Sequence, residues 1–306
     1  MRPTNFSGVP IAKAIGQHLK PKQISYRPDL VSAIHSSMSA SLKDKWVLIT
    51  GASSGFGAEA ARAFGAEGCK LLLGARRVDR LEKVADETRK AGASEALFHF
   101  LDVGKTESVN QFVDWAREKI RSPKTEVRNL HVLINNAGGA HGLDTVAEGK
   151  DDDWEQMYQS NVLGLLRMTR AALPLIPHDA GAIIMNIGSY AARVAYEGGS
   201  AYCGAKAAEL KITQALRLEL SGTGIRVSSI DPGLAETEFS LVRFKGDAAR
   251  AKKPYEGTNP LVAKDIAEIL VWVASRPAHV NIDEMLIKPV DQAAMHKVFR
   301  RTTTGK

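Results

Sequence analysis

From Trp46 onward the apolar and polar positions follow two alternating rhythms. Short apolar runs stand at WVLIT (46–50), KLLLGA (70–75), ALFHFLDV (96–103), HVLINNAG (131–138), AIIMNIGS (182–189), IRVSSIDPG (225–233) and near 282–287. Between them lie longer amphipathic stretches near 56–67, 79–91, 106–120, 153–175, 201–221 and 263–274. The runs are almost continuously apolar, as strands covered on both faces should be. Strand and helix alternating at this spacing require right-handed crossovers into a parallel sheet. The pattern therefore predicts an α/β fold: a single Rossmann-type, doubly wound parallel sheet of about seven strands with helices on both faces. There is no linker or repeat between residues 45 and 295, which reads as one domain.

Residues 1–44 break the rhythm. They carry Pro3, Pro10, Pro21 and Pro28, and only IAKAIGQHLK (11–20) places Ile11, Ile15 and Leu19 on one helix face. We read this segment as a surface arm of a cytoplasmic protein. Its scarcity of acids and its serines leave a mitochondrial transit peptide as the alternative. No apolar run approaches the roughly 18 residues that a membrane span requires. Two cysteines, Cys69 and Cys203, do not make a disulfide scaffold and favour a reducing compartment. The histidines form no metal-binding motif, so no metal is expected.

The formal net charge of +7 invites a nucleic-acid reading, but the excess lies at the ends. Residues 1–45 hold seven Lys/Arg against two acids, and the tail 296–306 holds four against none. The intervening body has 30 basic and 32 acidic residues, so it lacks the positive field that a nucleic-acid enzyme would carry there.

The first strand runs into TGASSGFG (50–57), which opens the first helix. Gly51 allows a tight turn, Gly55 and Gly57 permit close approach, and the helix N-terminus offers free N–H groups to a pyrophosphate. Thr50, Ser53, Ser54 and Phe56 complete this expected dinucleotide-binding turn. NAD sites usually place an acid about 20 residues further on to bind the ribose 2′-hydroxyl. Here Arg76 and Arg77 stand at the end of the second strand, where a guanidinium would bind a 2′-phosphate, so NADP(H) is the expected cofactor. Asp102 and Val103 would flank the adenine, and NNAG (135–138), through Asn136, would bring its backbone against the cofactor.

In SAYCGAK (200–206), Tyr202 and Lys206 share a helix face at i,i+4. Alone the pair is ordinary. Ser189, however, lies thirteen residues upstream at the C-terminal end of a strand, the sheet edge where open α/β folds bind ligands. Asn161 is a polar residue inside the preceding helix. Together TGxxxGxG, NNAG, Asn161, Ser189, YxxxK and DPG (231–233) resemble the short-chain dehydrogenase/reductase family over about residues 44–290. The resemblance implies that Tyr202 is the acid/base and that Ser189 polarises the carbonyl. It implies that Lys206 holds the nicotinamide ribose and makes the phenol a better acid, and that Asn161 keeps a relay water. Pro232, Gly233, Leu234 and Thr237 would contact the cofactor. The magnitudes are compatible: moving a phenol from about 10 to near 7 takes about 4 kcal/mol, and an ammonium about 4 Å away supplies about that at an effective dielectric near 20.

The segment after the sixth strand, about 234–260, would be the substrate lid. With GGSAYCGAKAA (198–208), DIAEILVWVASRPAHVNI (265–282) and DQAAMHKVFR (291–300), it is similar to NADP-dependent 3-hydroxy acid (serine or L-allo-threonine) dehydrogenases, especially fungal ones. That likeness implies a small 3-hydroxy acid substrate and a homotetramer. GGAHG (138–142) and the long arm depart from the pattern. A small acid needs a cation in its pocket, and Arg193 and Arg243 are the candidates; for Arg243 the competing role is an i,i+4 pair with Asp247. A ketoreductase of bulkier ketones and a non-catalytic NADP-binding protein are the alternatives.

Overall fold

A computed structural model of the chain describes residues 41–121, 129–178 and 181–302. Residues 1–40 of the predicted arm, with the Ile11, Ile15 and Leu19 face, lie outside the described residues, whereas Leu42 is buried in the core.

Seven parallel strands form one sheet in the order β3-β2-β1-β4-β5-β6-β9. They are β1 (Trp46–Thr50), β2 (Lys70–Ala75), β3 (Glu95–Phe100), β4 (Leu130–Asn135), β5 (Ile183–Ile187), β6 (Arg226–Pro232) and β9 (Glu284–Ile287). Helices α1 (Gly55–Ala66), α2 (Val78–Ala91) and α9 (Ala263–Ala274) cover one face. Helices α3 (Thr106–Ile120), α5 (Gly164–Ala172) and α6 (Ser200–Glu219) cover the other. Successive residues of a strand point to opposite faces. Val47 and Ile49 accordingly join the cluster around Phe64, Leu81 and Leu270, whereas Leu48 joins Phe112, Leu133 and Met168. All five residues of β1 are buried, which explains their uninterrupted apolar reading.

The expected runs at 96–103 and 131–138 extend past the strands, which end at Phe100 and Asn135. Leu101 and Val103 are buried just beyond the ladder, so apolarity there reports burial rather than strand pairing. The single helix expected near 153–175 is also interrupted. It consists of α4 (Asp151–Tyr158), a π-helical turn at Gln159–Leu163 and α5, followed by a 3-10 turn at Leu173–Leu175. Asn161, inside the π turn, donates from Nδ2 to Met157 O at 2.7 Å. Its amide thus satisfies a carbonyl near the widened turn.

Beyond β6 the chain leaves the sheet as β7 (Ala235–Glu236), α7 (Phe239–Arg243) and α8 (Ala248–Lys252). It returns through β8 (Leu261–Val262), which pairs with β7. A hairpin of β10 (Gln292–Ala294) and β11 (Lys297–Val298) follows β9. The basic segment from 296 continues this hairpin, and Arg301 is paired with Asp291 at 2.6 Å. Among the described residues no helix is long and apolar enough to cross a membrane.

Candidate active site

The strand order reverses between β1 and β4, and the crevice beyond their C-terminal ends is the place where such sheets take ligands. A cavity of about 1270 Å³ opens there. Its floor begins at the glycine turn. Gly51 has φ +67°, and an added Cβ would meet Asn136 Nδ2 at 2.8 Å; at Gly57 it would meet the same atom at 2.5 Å. Both glycines are therefore required for the turn to pack against the β4 loop. Asn136 Nδ2 donates to Thr50 O at 2.9 Å, while Thr50 Oγ1 accepts the N–H groups of Asn136 at 3.0 Å and Ala137 at 2.9 Å. Thr50 and Gly57 brace the turn from behind; Gly51, Ser53, Ser54, Gly55 and Phe56 line the cavity. The first turn of α1 contains no acidic residue, and the Ser54 side chain caps none of its N–H groups.

Arg76 and Arg77 stand at the next strand end, both lining the cavity. Arg77 donates to Ser54 Oγ at 2.6 Å and Ser53 Oγ at 3.3 Å, so it is built into the turn. Its third contact is Glu238 at the start of α7, 3.1 Å away, and Arg80 holds the same carboxylate at 2.7 Å. Against a contrary effect of burial, Arg80 and Arg77 hold the Glu238 carboxyl below its ordinary range. Asp102 and Val103 line the wall beyond β3, and Pro232, Gly233, Leu234 and Thr237 line the opposite side.

Ser189, Tyr202 and Lys206 all line this cavity. Gly188 turns the chain there because a Cβ would collide with Asp231 Oδ1, and Ser189 then caps a short 3-10 turn, accepting Ala191 N–H at 3.1 Å. Beneath the site, Asn135 Nδ2 donates to Thr169 Oγ1 and Asn186 Oδ1, both at 2.9 Å, and Asn186 donates to Thr213 at 2.8 Å. This buried polar ladder ties β4 and β5 to α5 and α6, and it fixes the helix that carries the tyrosine. The Lys206 ammonium donates to Ile187 O at 2.8 Å and to Glu209 Oε2 at 2.7 Å. Burial acts to lower the proton affinity of Lys206, but Glu209 and Tyr202 outweigh it and hold the ammonium above its usual value.

Asn161 is not among the cavity-lining side chains. Its Nδ2 donates to Gly139 O at 2.9 Å and its Oδ1 accepts Gly139 N–H at 3.1 Å, so its side chain braces the β4 loop.

The two expected cations separate. Arg193 is paired with Asp231 at 2.5 Å and Glu284 at 2.6 Å and does not line the cavity. Arg243, at the end of α7, does line it. The guanidinium of Arg243 lies 5.4 Å from the Tyr196 ring and 5.7 Å from the Tyr202 ring. Nε donates to Gly142 O at 2.9 Å, while Nη2 is buried without a hydrogen-bond partner. Asp247 instead caps α8 by accepting Arg250 N–H, so the i,i+4 pair with Arg243 does not form. Among the described residues no carboxylate is paired with Arg243.

Several lining residues carry no local motif: Tyr196, His141, Phe239 and Glu238. Burial pushes the Tyr196 hydroxyl up to about 12 against the pull of Arg243, so it stays a donor. Burial likewise lowers His141, leaving a neutral ring at the cavity wall. Glu209 is the other unannounced residue; only its spacing of three from Lys206 could have suggested it.

Comparison with known proteins places this geometry among relatives. A family model described as short chain dehydrogenase matches residues 45–246. The chain is 40% identical over 261 residues to an NADP-dependent 3-hydroxy acid dehydrogenase of Schizosaccharomyces pombe, spanning 85% of this chain and 98% of that one. It is 41% identical over 249 residues to sulfoacetaldehyde reductase 2 of Chromohalobacter salexigens, spanning 81% and 95%. Among solved structures, the closed form of a serine dehydrogenase complexed with NADP+ superposes with a TM-score of 0.73 at 38% identity, covering 84% of this chain and 99% of that one.

Proposed function

The chain belongs to the short chain dehydrogenase family, and from that premise we propose an NADP-dependent oxidoreductase for small anionic alcohols and their carbonyl forms, 3-hydroxy acids such as serine or L-allo-threonine first. The observation that carries the substrate class is Arg243: a guanidinium that lines the cavity beside the Tyr202 ring, held by the Gly142 carbonyl and paired with no carboxylate among the described residues. The relatives named above act on a 3-hydroxy acid, on sulfoacetaldehyde and on serine, which share an anionic group.

The residues present fit a phosphorylated dinucleotide. The uncapped, acid-free N-terminus of α1 favours a pyrophosphate, and Arg77 and Arg76 offer charge to a 2′-phosphate. When bound, NADP(H) supplies or accepts the hydride. The chain's own groups handle the rest. Arg243 takes the substrate anion and so presents the neighbouring C–O group to Tyr202. The Ser189 hydroxyl holds the reacting oxygen, and Tyr202 gives it a proton in reduction and removes one in oxidation. Lys206, with two of its three donors bound, has one left for the cofactor ribose and places positive charge beside the phenol. Asn161 supports this end of the site through the β4 loop.

We propose that the enzyme is cytoplasmic and a homotetramer; exposed Tyr158, Leu163 and Leu166, from α4 through the π turn to α5, support association, and native mass measurement tests it. The substrate class is tested by following NADPH absorbance with 3-oxo and 3-hydroxy acids, their esters, sulfoacetaldehyde and bulky ketones. Acids and sulfoacetaldehyde should turn over well ahead of the neutral compounds. A preference for esters or bulky ketones refutes the anionic-substrate reading, and no turnover with any of them refutes the whole proposal.

A further inference from the structure

Behind Tyr202 and Lys206, helix α6 carries a third ionisable side chain that does not line the cavity. Glu209 lies three residues after Lys206 and is 2% exposed, on the helix side that faces the sheet. A carboxylate buried so deeply is unfavourable unless a charge and hydrogen bonds compensate it. Its observed partner is the Lys206 ammonium, 2.7 Å from Oε2.

Two other groups act on this pair: Tyr202 on the ammonium, and Asp231 on both partners. From β6, Asp231 is wholly buried, but it accepts the Ser229 hydroxyl at 2.6 Å and is matched by Arg193, which is shared with Glu284 on β9. From α6 itself, Tyr202 faces the ammonium, and from β5 only the carbonyl of Ile187 reaches it. An ammonium has three donors. Glu209 and Ile187 take two, which fixes the direction of the third.

We propose that Glu209 is a positioning residue for the reaction: its carboxylate keeps Lys206 charged and aims its remaining donor at the cofactor ribose and Tyr202. This rests on the oxidoreductase reading for its catalytic consequence, but its binding consequence needs no turnover. Burial by itself would drive Lys206 toward the neutral amine, and Glu209 is the largest influence against it. Without the carboxylate, Lys206 releases its proton to solvent as the pH rises through the alkaline range. The ribose then loses a charged donor and the phenolate loses its neighbouring cation.

The experiment compares wild type, Glu209→Gln and Glu209→Asp as full-length chains. NADPH affinity is measured by fluorescence titration from pH 6 to 10, and the pH profile of kcat/KM for 3-hydroxy acid oxidation is measured alongside. Burial pushes the Glu209 carboxyl up to about 7 against the pull of Lys206, so wild type should bind NADPH almost evenly from about pH 8 to 10. Glu209→Gln should lose about tenfold or more in affinity between about pH 8 and 10, with an alkaline fall in kcat/KM at least about one pH unit below that of wild type. Glu209→Asp should recover most of both. A Glu209→Gln profile that tracks wild type at every pH overturns the proposal, even if the protein is less stable. If binding shifts as expected and no substrate turns over, the positioning role stands and the catalytic reading fails. Should Glu209→Gln not fold, the apolar double variant Lys206→Met with Glu209→Leu decides. A folded double variant supports the pairing, since removing both partners of a buried pair is tolerated far better than removing one. An unfolded one shows that the core needs the carboxylate independently of the lysine, and overturns it.

Discussion

Replacing Arg243 with methionine keeps most of the side-chain volume and removes the charge that we assign to the substrate anion. In the structure the guanidinium is held through Nε by Gly142 O and flanked by two tyrosine rings, so it is oriented before any ligand arrives. A carboxylate reaching the cavity side of this guanidinium would form a charge-assisted hydrogen bond in a partly dry site. Truncating one side of such a pair costs about 2–5 kcal/mol. Taking about 3 kcal/mol gives a fall of about 100-fold in kcat/KM for a 3-hydroxy acid. Because the anion is held in ground and transition states alike, most of the loss should appear as a higher KM. The corresponding methyl ester, which gains nothing from the charge, should change less than about fivefold. Steady-state kinetics with both substrates read this directly, with NADPH titration and melting temperature confirming that the fold and cofactor site persist. Lysine should restore little, since it lacks the planar fork. Equal losses for acid and ester, or an unchanged KM for the acid, refute the assignment.

Tyr202→Phe should abolish turnover while NADPH still binds, because the ring remains packed on Phe239 and only the proton donor is gone; residual turnover near wild type rejects the acid/base role. Arg77→Ala should weaken NADPH by about tenfold or more and NADH much less, as loss of a charge-assisted hydrogen bond to the 2′-phosphate requires; the ratio of the two dissociation constants is the readout, and an unchanged ratio moves 2′-phosphate recognition elsewhere. Acid stability should depend on His131, which burial and then Lys45 hold below its ordinary value. Lys45 Nζ lies 3.3 Å from its Nε2, so its charge adds to burial in opposing protonation of the ring. A depressed folded pKa gives stability that is fully present above about 6.5 and is lost as the pH falls through the folded value. The melting temperature should therefore decline on acidification below about pH 6.5, and His131→Gln should flatten that decline; identical slopes count against it.

Much of the site was legible because its parts are local. The glycine turn is one contiguous segment whose conformation its own residues impose, and Tyr202 and Lys206 share a face because any α-helix puts i and i+4 together. Ser189 was found by its place at a strand end. The errors of detail have equally physical origins. Leu101 and Val103 looked like strand because apolarity marks burial, and Asn161 gave no sign of the π turn because that depends on a carbonyl left by its neighbours.

The succession of strands and helices, the glycine turn at the sheet edge and the shared helix face of Tyr202 and Lys206 were determined by the sequence alone, through patterns that repeat within a few residues. Which charge answers which was decided only by the tertiary structure. Arg193 meets Asp231 across 38 positions, Arg243 meets Gly142 across 101, and Arg77 meets Glu238 across 161. The two arginines look alike along the chain. They differ because folding brings carboxylates to Arg193 and leaves Arg243 beside the tyrosine rings with no carboxylate partner among the described residues, and Coulomb energy depends on distance in space rather than along the chain.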